Sequence, residues 1–262
     1  MNAKHSGMAK LWLLNLFGNV ALLAAVYLLL ILPDAHGWQV AASGLLALIV
    51  LFFGVWLRAG SFAYFRLAEF RDNADVWRAF HHSLSHLIAL LLWAIPLAAI
   101  EWWLFSLRTY APQFGVWFWQ KFSALRFGSP RQICRTADWV LWIAMILLFA
   151  IWLPVASTVA ANGLKPSRMA RALRVLKHPT YWAWLVVLLF VGVYLPRKFI
   201  WWIPDLSTLT RQAWSAGARF FLAYVLLISA WVGLLLVVGT RVEKEDLDSL
   251  DQPSSNSDSR GL

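Results

Sequence analysis

Six stretches of the chain are apolar for long enough, or nearly so, to cross a hydrocarbon layer about 30 Å thick, which takes about 20 helical residues. They cover residues 11–32, 38–57, 87–107, 139–159, 180–195 and 220–238. The fifth is the shortest, and it lengthens if Arg197 and Lys198 snorkel toward the aromatic stretch 199–202. No segment sustains the two-residue alternation of a membrane β-barrel. The pattern therefore predicts an all-α integral membrane protein, with about six transmembrane helices in a polytopic domain over residues 1–240.

The connections carry a second pattern, of three to four residues. In the stretch 162–178, Met169, Ala172, Leu173 and Leu176 share one face of a helix that starts after Ser167. Arg168, Arg171, Arg174 and Lys177 spread over the other side, as in a helix lying on an anionic membrane surface with its apolar side down. The connection 58–86 holds a similar piece. There Asn73 is the expected N-cap, and Val76, Trp77 and Phe80 are expected to face lipid beside Arg78. Within 108–138, Phe118, Phe122 and Leu125 line one face flanked by Lys121 and Arg126, which predicts another interfacial helix ending at Gly128, Ser129 and Pro130. Asp205 or Ser207 is the expected cap before the sixth span.

ValTrpArgAlaPhe at 76–80 resembles MetAlaArgAlaLeu at 169–173. Each follows a span and precedes another, which suggests that spans two and three recur as spans four and five.

Composition strengthens the membrane reading. Of 262 residues, 61% are apolar, against roughly 45–50% in soluble domains. The 18 Trp and 17 Phe exceed what a soluble core of this length needs. The predicted outer ends of spans carry Trp38, Trp102, Trp103, Trp139, Trp201 and Trp202, and inner ends carry Trp56 and Trp182, as in interfacial aromatic belts.

Charge sets the expected orientation. With the N-terminus inside, the inner segments hold 14 Lys and Arg and the outer ones nine. The first connection, 33–37, has none and fits the outside. Both termini are then cytoplasmic, and an inner (cell) membrane of bacterial type is the expected location. Net charge is +10, yet residues 241–262 hold three basic and six acidic residues. That acidic tail has few apolar and no aromatic residues, and it is expected to be disordered. Basic residues scattered over many loops do not form the single patch that nucleic-acid binding requires. Anionic lipid headgroups are the expected partners, contacted by Arg78, Arg168, Arg171, Arg174 and Lys177. A membrane-protein partner is a further expectation.

Candidate chemistry is sparse. His82 and His86 are four apart and share a helix face, a weak metal pair with no acidic residue at motif spacing. No histidine lies mid-span, which sets aside an intramembrane haem pair. The lone Cys134 excludes an internal disulfide and any multi-cysteine metal site. Glu101 is the one acidic residue well inside a predicted span, a position that marks a functional candidate. Its ordinary role would be an ion pair with Arg108 or another outer-loop cation. Pro96 and Pro154 kink their helices and free backbone carbonyls. Gly18, Ala21 and Ala25 share a face suited to close helix contact, as does Gly54 in span two.

Phosphate-binding loops, the dinucleotide fingerprint and the serine-hydrolase elbow are absent. The sequence thus favours a non-catalytic scaffold or accessory subunit, with no cofactor expected. The alternatives are a lipid or small-molecule permease with a cavity near Pro96, Glu101 and Pro154, and an enzyme acting on lipid-linked substrates through Glu101, Asp138 and outer-loop Arg residues.

Overall fold

The computed structural model describes residues 3–32, 36–122, 129–204 and 208–250, and the side chains of 6–32, 36–122, 129–204 and 208–244. Helices follow in the order α1 (Ala3–Ile31), α2 (Gly37–Arg66), α3 (Ala68–Asp72), α4 (Val76–Leu84), α5 (Leu87–Thr109), α6 (Ala111–Phe122) and α7 (Pro130–Asn162). Next come α8 (Pro166–Ala172), a tight 3-10 turn (Leu173–Lys177), α9 (Pro179–Leu189), a wide π turn (Phe190–Tyr194), α10 (Leu195–Trp201) and α11 (Leu209–Leu250). No strand occurs among the described residues. Six of these helical stretches are long and apolar enough to span a membrane: α1, α2, α5, α7, the continuous α9–α10 run and α11. The chain is an all-α, multi-pass membrane protein. Its two ends are named here by their short helices, the α4–α8 face and the α6 face.

Burial is concentrated toward the α4–α8 face. In α2 it runs from Leu57 to Arg66, and in α7 from Leu153 to Ala161. These segments pack on one another and on the stretch of α11 that includes Leu235, Val238 and Val242. Small side chains make the close approach possible. A methyl group on Gly60 would lie 2.4 Å from the Phe80 ring, and one on Gly239 would lie 2.5 Å from the Phe65 carbonyl oxygen. Toward the α6 face the helices expose large apolar residues such as Leu30, Leu45 and Ile95, as lipid contact demands.

Helix ends differ from those the hydropathy suggests. Span two does not stop at Leu57, because α2 carries Arg58 inside and continues to Arg66. The cap of α4 is Asp75, whose Oδ1 accepts from the Arg78 backbone N–H at 3.0 Å, and not Asn73, which closes α3. Val76 and Phe80 turn into the bundle against α2, and Trp77 alone of the three stays exposed. The basic segment behaves likewise. It starts at Pro166, and its 3-10 turn shifts the phase so that Ala172 and Val175 are buried while Leu173 is exposed. Met169 and Leu176 pack on the same core. The apolar sides of both short helices therefore rest on protein.

On the α6 face, Ser129 and Pro130 begin α7 in place of ending the preceding helix. The Ser129 hydroxyl accepts from the Gln132 backbone N–H, and the Gln132 side chain accepts from the Ser129 N–H. Phe118 and Phe122 do share a face, with ring centroids 4.7 Å apart. Leu125, Arg126 and Gly128 lie outside the described residues, as do Asp205 and Ser207. The fifth span extends through Arg197 and Lys198 to Trp201. Gly18 meets Leu57 across the α1–α2 contact, whereas Gly54 has open space beside it. The helix of α11 reaches Leu250, ten residues into the tail that composition assigns to disorder. Val242 is buried there and Glu243 pairs with Arg71 at 2.8 Å. Residues 251–262 lie outside the described ones.

Helix boundaries recur. Gly37 and Pro130, the starts of α2 and α7, stand 93 residues apart, as do their first buried residues, Leu57 and Ala150. Leu84 and Lys177, which end the short basic elements, share that spacing. The starts of the next spans, Leu87 and Pro179, are 92 apart. The spacing of the sequence match at 76–80 and 169–173 is thus also the spacing of the helices around it.

Gly239→Ala is expected to cost on the order of 1–3 kcal/mol, because its methyl meets backbone that cannot give way. Gly54→Ala, with nothing within 4 Å, is expected to leave stability unchanged or slightly raised. Thermal unfolding of both variants in one detergent checks the contrast.

Candidate functional site

The α4–α8 face gathers most of the residues singled out by the sequence. Two indoles fasten its short helices. Trp56 Nε1 donates to the Phe80 carbonyl at 3.0 Å, and Trp182 Nε1 donates to the Leu176 carbonyl at 2.8 Å. The Leu176 oxygen lies at the end of the 3-10 turn, where intrahelical partners run out, and the Phe80 oxygen also accepts from the Ser83 hydroxyl at 2.8 Å. So fixed, α4 and the 3-10 turn hold Arg78, Arg174 and Lys177 exposed. Arg78 has an exposed ion pair with Glu69 at 3.5 Å, a geometry that contributes little to stability. Arg168 and Arg171 are half-buried. Arg168 donates to the Asn162 side chain at the end of α7 and so helps join α7 to α8. The five predicted lipid-contact residues therefore divide into three exposed and two half-buried cations.

His82 and His86 meet at the same junction, with ring centroids 5.5 Å apart. His82 Nε2 donates to the Ala161 carbonyl at 3.0 Å, satisfying an acceptor in the last turn of α7. That nitrogen is thereby taken from metal ligation. No group of three or more His, Cys, Asp or Glu able to hold a metal occurs among the described residues. His86 packs beside Gly163, whose φ of 70° ends α7 in a conformation that disfavours a side chain. Burial, then the neighbouring His82 and Lys165, hold the His86 imidazole below the ordinary histidine range.

The permease and enzyme candidates are dispersed. Pro96 borders a cleft of about 230 Å³ between α5 and α7, together with Trp93, Ile151 and Val155. Neither Glu101 nor Pro154 is among its lining residues. Pro154 is buried, and the carbonyl its ring frees, that of Ala150, accepts from the Tyr181 hydroxyl at 2.7 Å. The kink is thus absorbed by a bond from α9. Arg108 does not pair with Glu101. Its Nε binds Asp138 Oδ1 at 2.7 Å, and its guanidinium lies 4.6 Å from the Trp142 ring centroid. Two helical turns separate Glu101 from Arg108 on α5, whereas Asp138 on α7 lies directly opposite.

The hydropathy pattern misses a polar junction between α1, α2 and α11. Arg58 Nη2 donates to Asn19 Oδ1 at 2.7 Å, and its guanidinium sits 4.8 Å from the Trp231 ring centroid. Asn15, fully buried, donates to the Leu11 carbonyl and to Ser61 Oγ, each at 3.0 Å. Trp12 Nε1 reaches Ser229 Oγ at 3.1 Å, and the Tyr224 hydroxyl donates to the Leu16 carbonyl. The available signal was the pair Asn15 and Asn19, four apart within an apolar span. Arg58 itself looked like the first loop residue.

No protein-family model, curated protein or solved structure matches this chain.

Because burial and its neighbours lower the His86 pKa in the folded protein, the unfolded chain binds more protons just below the ordinary histidine value of about 6.5. Stability is expected to fall as pH drops through that value and to level off below the depressed folded one. His86→Gln is expected to flatten this part of the profile. Thermal unfolding between pH 5 and 8 checks it.

Proposed function

We propose that the protein is a non-catalytic membrane scaffold or accessory subunit whose α4–α8 face rests on anionic lipid headgroups. One observation carries this reading. The short helices turn their apolar sides into the bundle and their cations, Arg78, Arg174 and Lys177, outward. A fixed array of exposed cations beside a spanning domain meets headgroups without ordering any new segment. Each is worth about 1 kcal/mol near an anionic surface at ordinary salt. The excess of Lys and Arg in the segments on this side supports a cytoplasmic orientation for this face, with both termini cytoplasmic in a bacterial-type cell membrane. A partner membrane protein fits the same role, with its helices against the apolar spans. The permease reading has less support, because the Pro96 cleft and Glu101 are separate. The lipid-linked enzyme reading has less still, because Asp138 is committed to Arg108.

The triple reversal Arg78→Glu, Arg174→Glu and Lys177→Glu tests the proposal. In bilayers of zwitterionic lipid the variant is expected to unfold near the wild-type temperature. Adding anionic lipid is expected to stabilise the wild type and not the variant. Equal stabilisation of both would remove the α4–α8 face from the account.

A further inference from the structure

The α4–α8 face has a surplus of positive charge, and the chain carries a counter-charge of its own close by. The stretches 66–86, 162–178 and 241–244 hold ten Lys and Arg against four Asp and Glu. Of the four acids, Glu69 pairs with Arg78, Asp75 caps α4 and Glu243 pairs with Arg71. Asp72 too is partnered. The stretch 162–178 is the extreme case, with five cations and no acidic residue. Lys165, Arg174 and Lys177 are exposed there, at the start of α8 and along the 3-10 turn.

Residues 245–262 reverse the balance. They hold Glu245, Asp246, Asp248, Asp251 and Asp258 against the single Arg260. The helix that leads into them ends on the same face. Val242 of α11 belongs to the core that contains Ala172 and Val175, and α11 lies against both α8 and the 3-10 turn. Helices packed in this way have axes about 8–10 Å apart. The α11 backbone continues as helix to Leu250, and the twelve residues that follow can span about 40 Å when extended. Glu243 gives the pattern of contact, since it crosses from α11 to α3 and meets Arg71 at 2.8 Å. Exposed ion pairs are individually weak. A tethered partner nevertheless competes at an effective concentration of about millimolar, and it relieves the mutual repulsion of cations that have no acid among them.

We propose that the acidic segment 245–262 docks on Lys165, Arg174 and Lys177, and that anionic headgroups displace it. The tail is then an internal substitute for lipid, occupying the cations until an anionic surface competes for them. The docking stands on charge and position alone. The displacement rests on the reading of this face as a headgroup surface.

Cross-linking of the full chain with a water-soluble carbodiimide tests both halves, because the reagent joins a lysine amine to a carboxylate only where the two touch. The sample is an equal mixture of unlabelled and isotope-labelled protein in phosphatidylcholine bicelles, read by peptide mass spectrometry. Links from Lys165 and Lys177 to peptides of 245–262 are expected, each within a single chain, and they are expected to be lost in molar salt. Arg174→Glu is expected to lower the Lys177 link about fivefold, the worth of one cation at an anionic surface. Absence of these links would overturn the docking. So would links confined to Lys244, or links between labelled and unlabelled chains, which put the tail on a neighbouring copy. In bicelles containing phosphatidylglycerol the links are expected to fall about fivefold or more. Undiminished links there would overturn the displacement. If phosphatidylglycerol still stabilises the protein against heat, the failure lies with the tail; if it does not, the failure lies with the headgroup reading.

Discussion

The close approach of α2, α7 and α11 at one end of the bundle is the constraint on which the rest of the molecule depends. Within a bilayer, burying an apolar side chain against protein gains little over leaving it in lipid, so association rests on tight packing and on polar contacts between helices. The sequence supplies both here. Ala59, Gly60 and Ala63 on α2, and Ala156, Ala160 and Ala161 on α7, keep the helix surfaces low where they meet. Gly239 lets α11 lie against the α2 backbone. With that end packed, α4, α8 and the 3-10 turn have a fixed platform to dock on. At the opposite end the helices meet in pairs, α5 with α7 through Arg108 and Asp138 and α6 with α7 at Gly115 and Cys134, and a groove opens between them.

The polar junction adds register to this packing. Apolar helices slide past one another at small cost, but Arg58, Asn19, Asn15 and Ser61 meet in only one alignment of α1 on α2. Trp231 and Tyr224 extend that alignment to α11. Removing one partner from such a set leaves the others buried without a bond, a larger loss than the bond itself is worth.

What the sequence made legible was whatever depends on hydropathy alone: the number of spans, their approximate centres and the presence of short amphipathic helices between them. Hydropathy does not say what an apolar face meets. Val76, Phe80 and Val175 look the same whether their neighbour is a lipid chain or another helix, so the docking of α4 and the 3-10 turn could not be read from spacing. Charge misled in a related way. Arg58 seemed to end a span because an isolated guanidinium is costly in hydrocarbon, yet Asn19 and Trp231 accommodate it within the helix. Glu243 sits in a segment whose composition favours disorder, and a single ion pair with Arg71, 172 residues away, is invisible to composition. Of the candidate site, the exposed cations Arg78, Arg174 and Lys177 were legible. The groove beside α6 was not, because it arises from two helices whose contact no local pattern encodes.

The wide turn at Phe190–Tyr194 has a geometric consequence. Tyr181, Leu185, Gly192 and Pro196 are all buried along one side of the α9–α10 run, and Gly192 touches Ala230 of α11. From Tyr181 to Pro196 is 15 steps, which at about 100° each overshoots four full revolutions by roughly 60°. An arc of that width lies within one helix face, so helical spacing alone keeps the four together. The wide turn takes more residues per revolution and draws Pro196 back toward the line of Tyr181, narrowing the seam where the run meets α11. The irregularity acts as a vernier, a fine adjustment on a helix of otherwise fixed pitch.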